Sequence, residues 1–171
     1  LGLLSKYPMG MLAIGLAGYV LSSRTTRGLL TNARLWVAVG VAAVLLAPNL
    51  WWNLQHGFIT FGHTAHITGV GEQWLYPAKL AEFWAGQWVA FGLLLMPPLV
   101  LLLIRPATWR HEAYRLLAWA SLPLFLLVSL QALVREANPN WASPAMIGFA
   151  ILVTGTLWAQ RRRWLLIGVA F

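Results

Sequence analysis

A bundle of membrane-spanning helices is the fold class this sequence predicts, and three observations predict it. The chain is 60% hydrophobic and only 9% charged, where a soluble domain carries about 25% charged residues. Its apolar residues run in continuous stretches close to the roughly 20 needed to cross a hydrocarbon core of about 30 Å. Its twelve basic residues fall in the gaps between those stretches, most of them on alternate gaps. Helix follows as the secondary structure, because in lipid only helices and closed barrels satisfy every backbone N–H and C=O. The apolar runs lack the period-two alternation of a barrel strand, so the expected class is all-α.

Taken in order, the expected spans lie near 8–22, 35–54, 80–104, 116–134 and 142–159, with a sixth, 164–171, cut short by the end of the chain. The first is short by the same measure and is expected to begin near Leu1. It carries Gly10, Ala13, Gly15, Ala17 and Gly18, a small-residue face that lets another helix approach closely. The third contains Pro97 and Pro98, which remove backbone donors and crowd the preceding turn, so a kink is expected there. Trp51, Trp52, Trp74, Tyr76, Trp84, Trp88 and Trp141 map near one set of span ends, where amphipathic rings form interfacial belts. The whole chain 1–171 reads as part of one transmembrane domain. It is expected to be an internal piece of a longer polytopic protein, because it opens inside an apolar stretch without Met and neither end resembles a signal peptide.

Charge gives the orientation. Arg24, Arg27 and Arg34 lie in the first gap, Arg105, Arg110 and Arg115 in the third, Arg161, Arg162 and Arg163 in the fifth. Only Lys6, Lys79 and Arg135 remain for the other side. Positive residues stay with cytoplasmic loops, so the loops 55–79 and 135–141 are expected to face the periplasm or an equivalent exterior. The formal charge of +8 does not point to nucleic acid, whose binders cluster basic residues on one solvated face. The absence of Cys excludes a disulfide framework and thiolate metal sites.

Few residues here carry chemistry. Arg135, Glu136, Ala137, Asn138, Pro139, Asn140 and Trp141 form a short polar run between two apolar spans, stiffened by Pro139 and by Pro144 beyond it. Arg135 offers a planar five-donor fork suited to phosphate. Glu136 either pairs with it or accepts hydrogen bonds from a sugar, and from these residues alone the plain interfacial Arg–Glu pair is the preferred reading. Trp141 has two readings, a belt residue or a platform for a sugar ring. Lys6 is either a snorkelling lysine or a cation that meets a lipid phosphate. His56, His63, His66, Glu72 and Gln73 lie in the loop 53–79, broken by Gly57, Gly62, Gly69 and Gly71. His63 and His66 match no metal-site spacing, so no metal ligands are assigned. Lys79 and Glu82, three apart at a helix start, read as a surface ion pair.

Three stretches in order carry a family resemblance. They are Gly2-Leu3-Leu4-Ser5-Lys6-Tyr7, then Pro48-Asn49-Leu50-Trp51-Trp52-Asn53-Leu54-Gln55-His56-Gly57 followed by Phe58 and Phe61, then Glu136-Ala137-Asn138-Pro139-Asn140-Trp141-Ala142-Ser143-Pro144-Ala145. With them the chain resembles the bacterial membrane glycosyltransferases related to dolichyl-phosphate-mannose–protein mannosyltransferases and to the lipid A aminoarabinose transferase. The resemblance covers nearly the whole chain, as the central-to-later part of such an enzyme. It implies a GT-C helical membrane domain that moves a sugar from a polyprenyl-phosphate donor to a lipid, glycan or protein acceptor, with the active site on the non-cytoplasmic face.

The resemblance implies inverting attack at the anomeric carbon, with a carboxylate as base or as ligand of a divalent cation. The family's essential acids lie in a first exterior loop near the N-terminus. This chain has no Asp, and only Glu72, Glu82 and Glu136 fall on the exterior side, so the catalytic carboxylate is expected outside it. Lys6 and Arg135 are then the candidates for holding the leaving phosphate, and His56, Asn138 and Asn140 for orienting donor or acceptor. Glu136 and Trp141 complete the expected substrate-binding set. The rivals are a secondary transporter or flippase, whose ionisable groups gather at mid-membrane on broken helices, and a non-catalytic membrane subunit.

Overall fold

The computed structural model describes residues 4, 7–59 and 75–160, and every element among them is helical. Lys6, most of the loop 53–79 and the truncated sixth span lie outside the described residues.

After a single 3-10 turn, Tyr7–Met9, comes α1, Gly10–Leu21. Its twelve residues reach about 18 Å at 1.5 Å per residue, too short to cross a bilayer. Ser23 then accepts a hydrogen bond from the Thr26 N–H at 3.2 Å and caps the turn Arg24–Arg27. Asn32 caps α2, Ala33–Gln55, by accepting from the Arg34 N–H.

The third expected span is broken, where the sequence suggested one kinked helix. α3, Pro77–Phe91, stops at Gly92, and α4, Met96–Ile104, leaves at 111° to it. Gly92 has φ +101°, a conformation that glycine alone adopts without strain. Pro97 and Pro98 sit in the first turn of α4, where a missing N–H leaves no bond unmade. The prolines therefore start a helix and do not kink one. After the turn Pro106–Arg110 comes α5, Glu112–Val134. A 3-10 turn, Pro139–Ala142, leads into α6, Ser143–Ala159.

Among the described residues, three helical stretches are long and apolar enough to cross a membrane, Ala33–Gln55, Glu112–Val134 and Pro139–Ala159, and four if the bent pair counts as one span. This is fewer than the five and a truncated sixth expected: the first expected span, 8–22, contains a helix too short for the task, and the sixth is not described.

Helix α5 is the centre of the packing. The small-residue face of α1 docks on it as the sequence suggested. A Cβ on Gly15 would strike the Trp119 carbonyl, and one on Gly18 would lie 2.6 Å from the Trp119 ring. On another face of α5, Gly148 of α6 leaves space for the Ser121 side chain. Phe125 is surrounded by Phe83, Trp84 and Phe149 at centroid distances of 6.1, 5.0 and 5.8 Å, with Trp84 and Phe149 meeting its ring edge-on, an arrangement that aromatic quadrupoles favour. Helix α2 differs: none of its apolar window is buried among the described residues.

The first and third gaps meet at one end of α5. The Tyr19 hydroxyl donates to Glu112 at 3.0 Å. Arg115 donates to Ser23 Oγ at 3.2 Å and stands 5.3 Å over the Tyr19 ring. The 135–141 run lies at the opposite end, 23 helical residues away, or about 35 Å.

Candidate functional site

Where α5 ends and α3 begins, a cavity of about 460 Å³ opens. Lys79, Glu82 and Phe83 of α3 line one wall; residues 135–139 and Trp141 line the other. The first wall follows from helix geometry, because positions i, i+3 and i+4 share a face. The second follows from how α5 stops. Arg135 still donates its N–H to the Gln131 carbonyl at 3.0 Å, but its backbone has left helical geometry. Asn138 then accepts from the Asn140 N–H at 3.3 Å and caps the 3-10 turn that Pro139 begins.

One ammonium joins the walls. Lys79 Nζ lies 3.1 Å from Glu82 Oε2 and 3.8 Å from Glu136 Oε1. The three side chains are 40%, 71% and 74% exposed, and exposed ion pairs add little to stability. What they do is hold charge at the rim of the cavity, above the buried ring of Phe83 and the half-buried Trp141. Lys79→Gln is therefore expected to leave the melting temperature nearly unchanged; thermal unfolding checks this, and a large fall would contradict it.

Of the residues singled out in the sequence, Arg135, Glu136, Asn138 and Trp141 come together here. Asn140 is held beside them through its N–H but does not line the cavity. His56 is not brought to it: at the end of α2 it stacks on Trp52, with centroids 4.2 Å apart, and its Nδ1 lies 2.8 Å from the Trp52 carbonyl oxygen. Lys6 lies outside the described residues, as do His63, His66 and Glu72. Lys79 was underrated as a local ion pair. The signal that marks it is charge scarcity, since it is one of only three cations on the sparse side of the chain.

A divalent cation fits poorly among these groups. Glu82 and Glu136 already share one ammonium, with Arg135 on the same cavity, and no three His, Cys, Asp or Glu gather among the described residues.

Residues 1–52 match the family model described as dolichyl-phosphate-mannose-protein mannosyltransferase. Lipid A galacturonosyltransferase RgtD of Rhizobium johnstonii is 36% identical over 129 residues, which is 75% of this chain and 27% of that protein. The chain is similar to these glycosyltransferases. Both matches agree with the resemblance at the level of the family, the family model covering the first motif and the start of the second. The chain spans about a quarter of the length of that curated relative. No solved structure matches it. The cavity carries two cations, Lys79 and Arg135, two carboxylates, Glu82 and Glu136, and the rings of Phe83 and Trp141.

Proposed function

We propose that these residues form the donor-phosphate wall of a glycosyltransferase site, which passes a sugar from a polyprenyl phosphate to an acceptor on the non-cytoplasmic face of a bacterial inner membrane. The observation that carries this reading is the convergence of Arg135, Lys79 and Trp141 on one cavity in a chain similar to membrane glycosyltransferases. The activity of the relative suggests the finer terms: a glycolipid acceptor of the lipid A class and a hexuronic acid as the sugar.

The chemistry asks for what the walls offer. As the anomeric C–O bond breaks, negative charge grows on the departing phosphate, and cations placed in advance stabilise it most. The Arg135 fork supplies parallel N–H donors and Lys79 a point charge. Glu82 and Glu136 accept hydrogen bonds from sugar hydroxyls, and Trp141 offers its face to the ring. The acceptor hydroxyl attacks from the opposite side and inverts the anomeric centre. Its proton goes to a carboxylate that we place, with the rest of the family's acidic loop, outside these residues. Lys6, which lies outside the described residues, is assigned to the same phosphate on the family resemblance alone.

Membranes holding the whole protein, supplied with a labelled polyprenyl-phosphate sugar and a lipid A-type acceptor, test the reading. Labelled acceptor is the expected product, with a lower yield in Lys6→Ala. The bent α3–α4 pair is the one observation that favours a transporter or flippase. Movement of labelled lipid across the bilayer with no sugar transfer would replace the enzyme reading by that one.

A further inference from the structure

We propose that Gln87, which does not line the cavity, is the positioning residue that sets its loop wall. Gln87 is 1% exposed, and a buried amide is costly unless it is hydrogen-bonded. Its Nε2 donates to the Pro139 carbonyl at 2.9 Å, across 52 positions of sequence. The preceding residue completes the seat. A Cβ on Gly86 would lie 3.0 Å from Pro139 Cγ and 3.3 Å from its Cβ, so the proline ring packs closely on the glycine and would have to yield by a few tenths of an ångström to a larger residue. One residue makes room for the ring and the next holds its carbonyl.

The contacts also fix the course of the loop. Glu136 meets Lys79 at the rim, and Pro139 meets Gln87, eight residues or about 12 Å further along α3. Segment 136–139 therefore runs down α3 between two fixed points, the outer held by exposed side chains and the inner by the buried side chain of Gln87. The outer ion pair is exposed and yields to solvent; the inner hydrogen bond does not. Asn138 and Trp141, on either side of Pro139 and both on the cavity wall, take their places from Gln87. Donor affinity then depends on a residue outside the cavity, a dependence that rests on the glycosyltransferase reading.

Gln87→Met keeps the length and volume of the side chain and removes the donor. In the whole protein it is expected to raise the donor KM about tenfold, the scale of losing one part-buried hydrogen bond, with kcat and melting temperature nearly unchanged. Gly86→Ala, which presses on the ring from the other side, is expected to do the same. Thr156→Val is the control, removing a buried hydroxyl that bonds only to the Leu152 carbonyl of its own helix; it should leave the donor KM unchanged. A second readout needs no transfer reaction. These residues hold no cysteine, so a maleimide reacting at Asn140→Cys reports the loop, and Gln87→Met should make it react severalfold faster. Unchanged labelling and unchanged donor KM in both α3 variants would overturn the proposal, as would KM and kcat falling together with folded yield. Faster labelling in a protein that transfers no sugar would uphold the positioning role and reject the enzyme reading.

Discussion

Arg135→Ala is expected to lower sugar transfer by about 100-fold in kcat/KM, the scale reported for removing one preorganised donor from a developing anion. Arg135→Lys should recover only part of this, because it restores the charge and not the planar fork. Steady-state transfer by the whole protein in membranes, with both variants at matched expression, gives the comparison. Full activity in Arg135→Ala and Lys6→Ala together would remove the phosphate assignment. Equal activity of the Lys and Arg forms would reduce Arg135 to a point charge.

The largest effect on folding is expected at Gly15. Valine there would place its Cβ against the Trp119 backbone carbonyl, an atom held within α5 that cannot turn aside as a flexible side chain does. Overpacking costs about 1–3 kcal/mol and occasionally more, so Gly15→Val should unfold well below the wild type or lose α1 from its seat on α5. Gly155→Ala is the opposite case. Nothing lies within 4 Å of its added Cβ, and alanine favours a helix interior by up to about 1 kcal/mol over glycine. Denaturation in detergent followed by helical circular dichroism measures both. A Gly15→Val protein as stable as Gly155→Ala would mean that α1 does not dock on α5 in this way.

Local chemistry was readable where one helix or turn decides it. The small-residue face of α1 showed in the spacing of Gly15 and Gly18, and the phosphate-type fork of Arg135 showed in its isolation between apolar runs. The break in the third span was misplaced, because Pro97 and Pro98 suit the start of a helix as well as a kink, and Gly92 at φ +101° gives no stronger local signal than any other glycine. His56 lay within a family motif, yet it does not line the cavity. Lys79 looked settled by Glu82 three residues on, and no pattern within one helix shows that Glu136 approaches the same ammonium.

By itself, the sequence determined that this chain is helical and membrane-embedded, with positive charge concentrated on alternate connections and one polar run set apart from it. Those properties come from composition and from periods of a few residues, which lipid and backbone hydrogen bonding enforce locally. Only the tertiary structure decided that the polar run has a second wall, that the wall is a broken helix, and that Gln87 fastens the two 52 positions apart. Such contacts depend on how whole helices pack and bend, and an apolar stretch carries the same hydropathy whichever neighbour it meets.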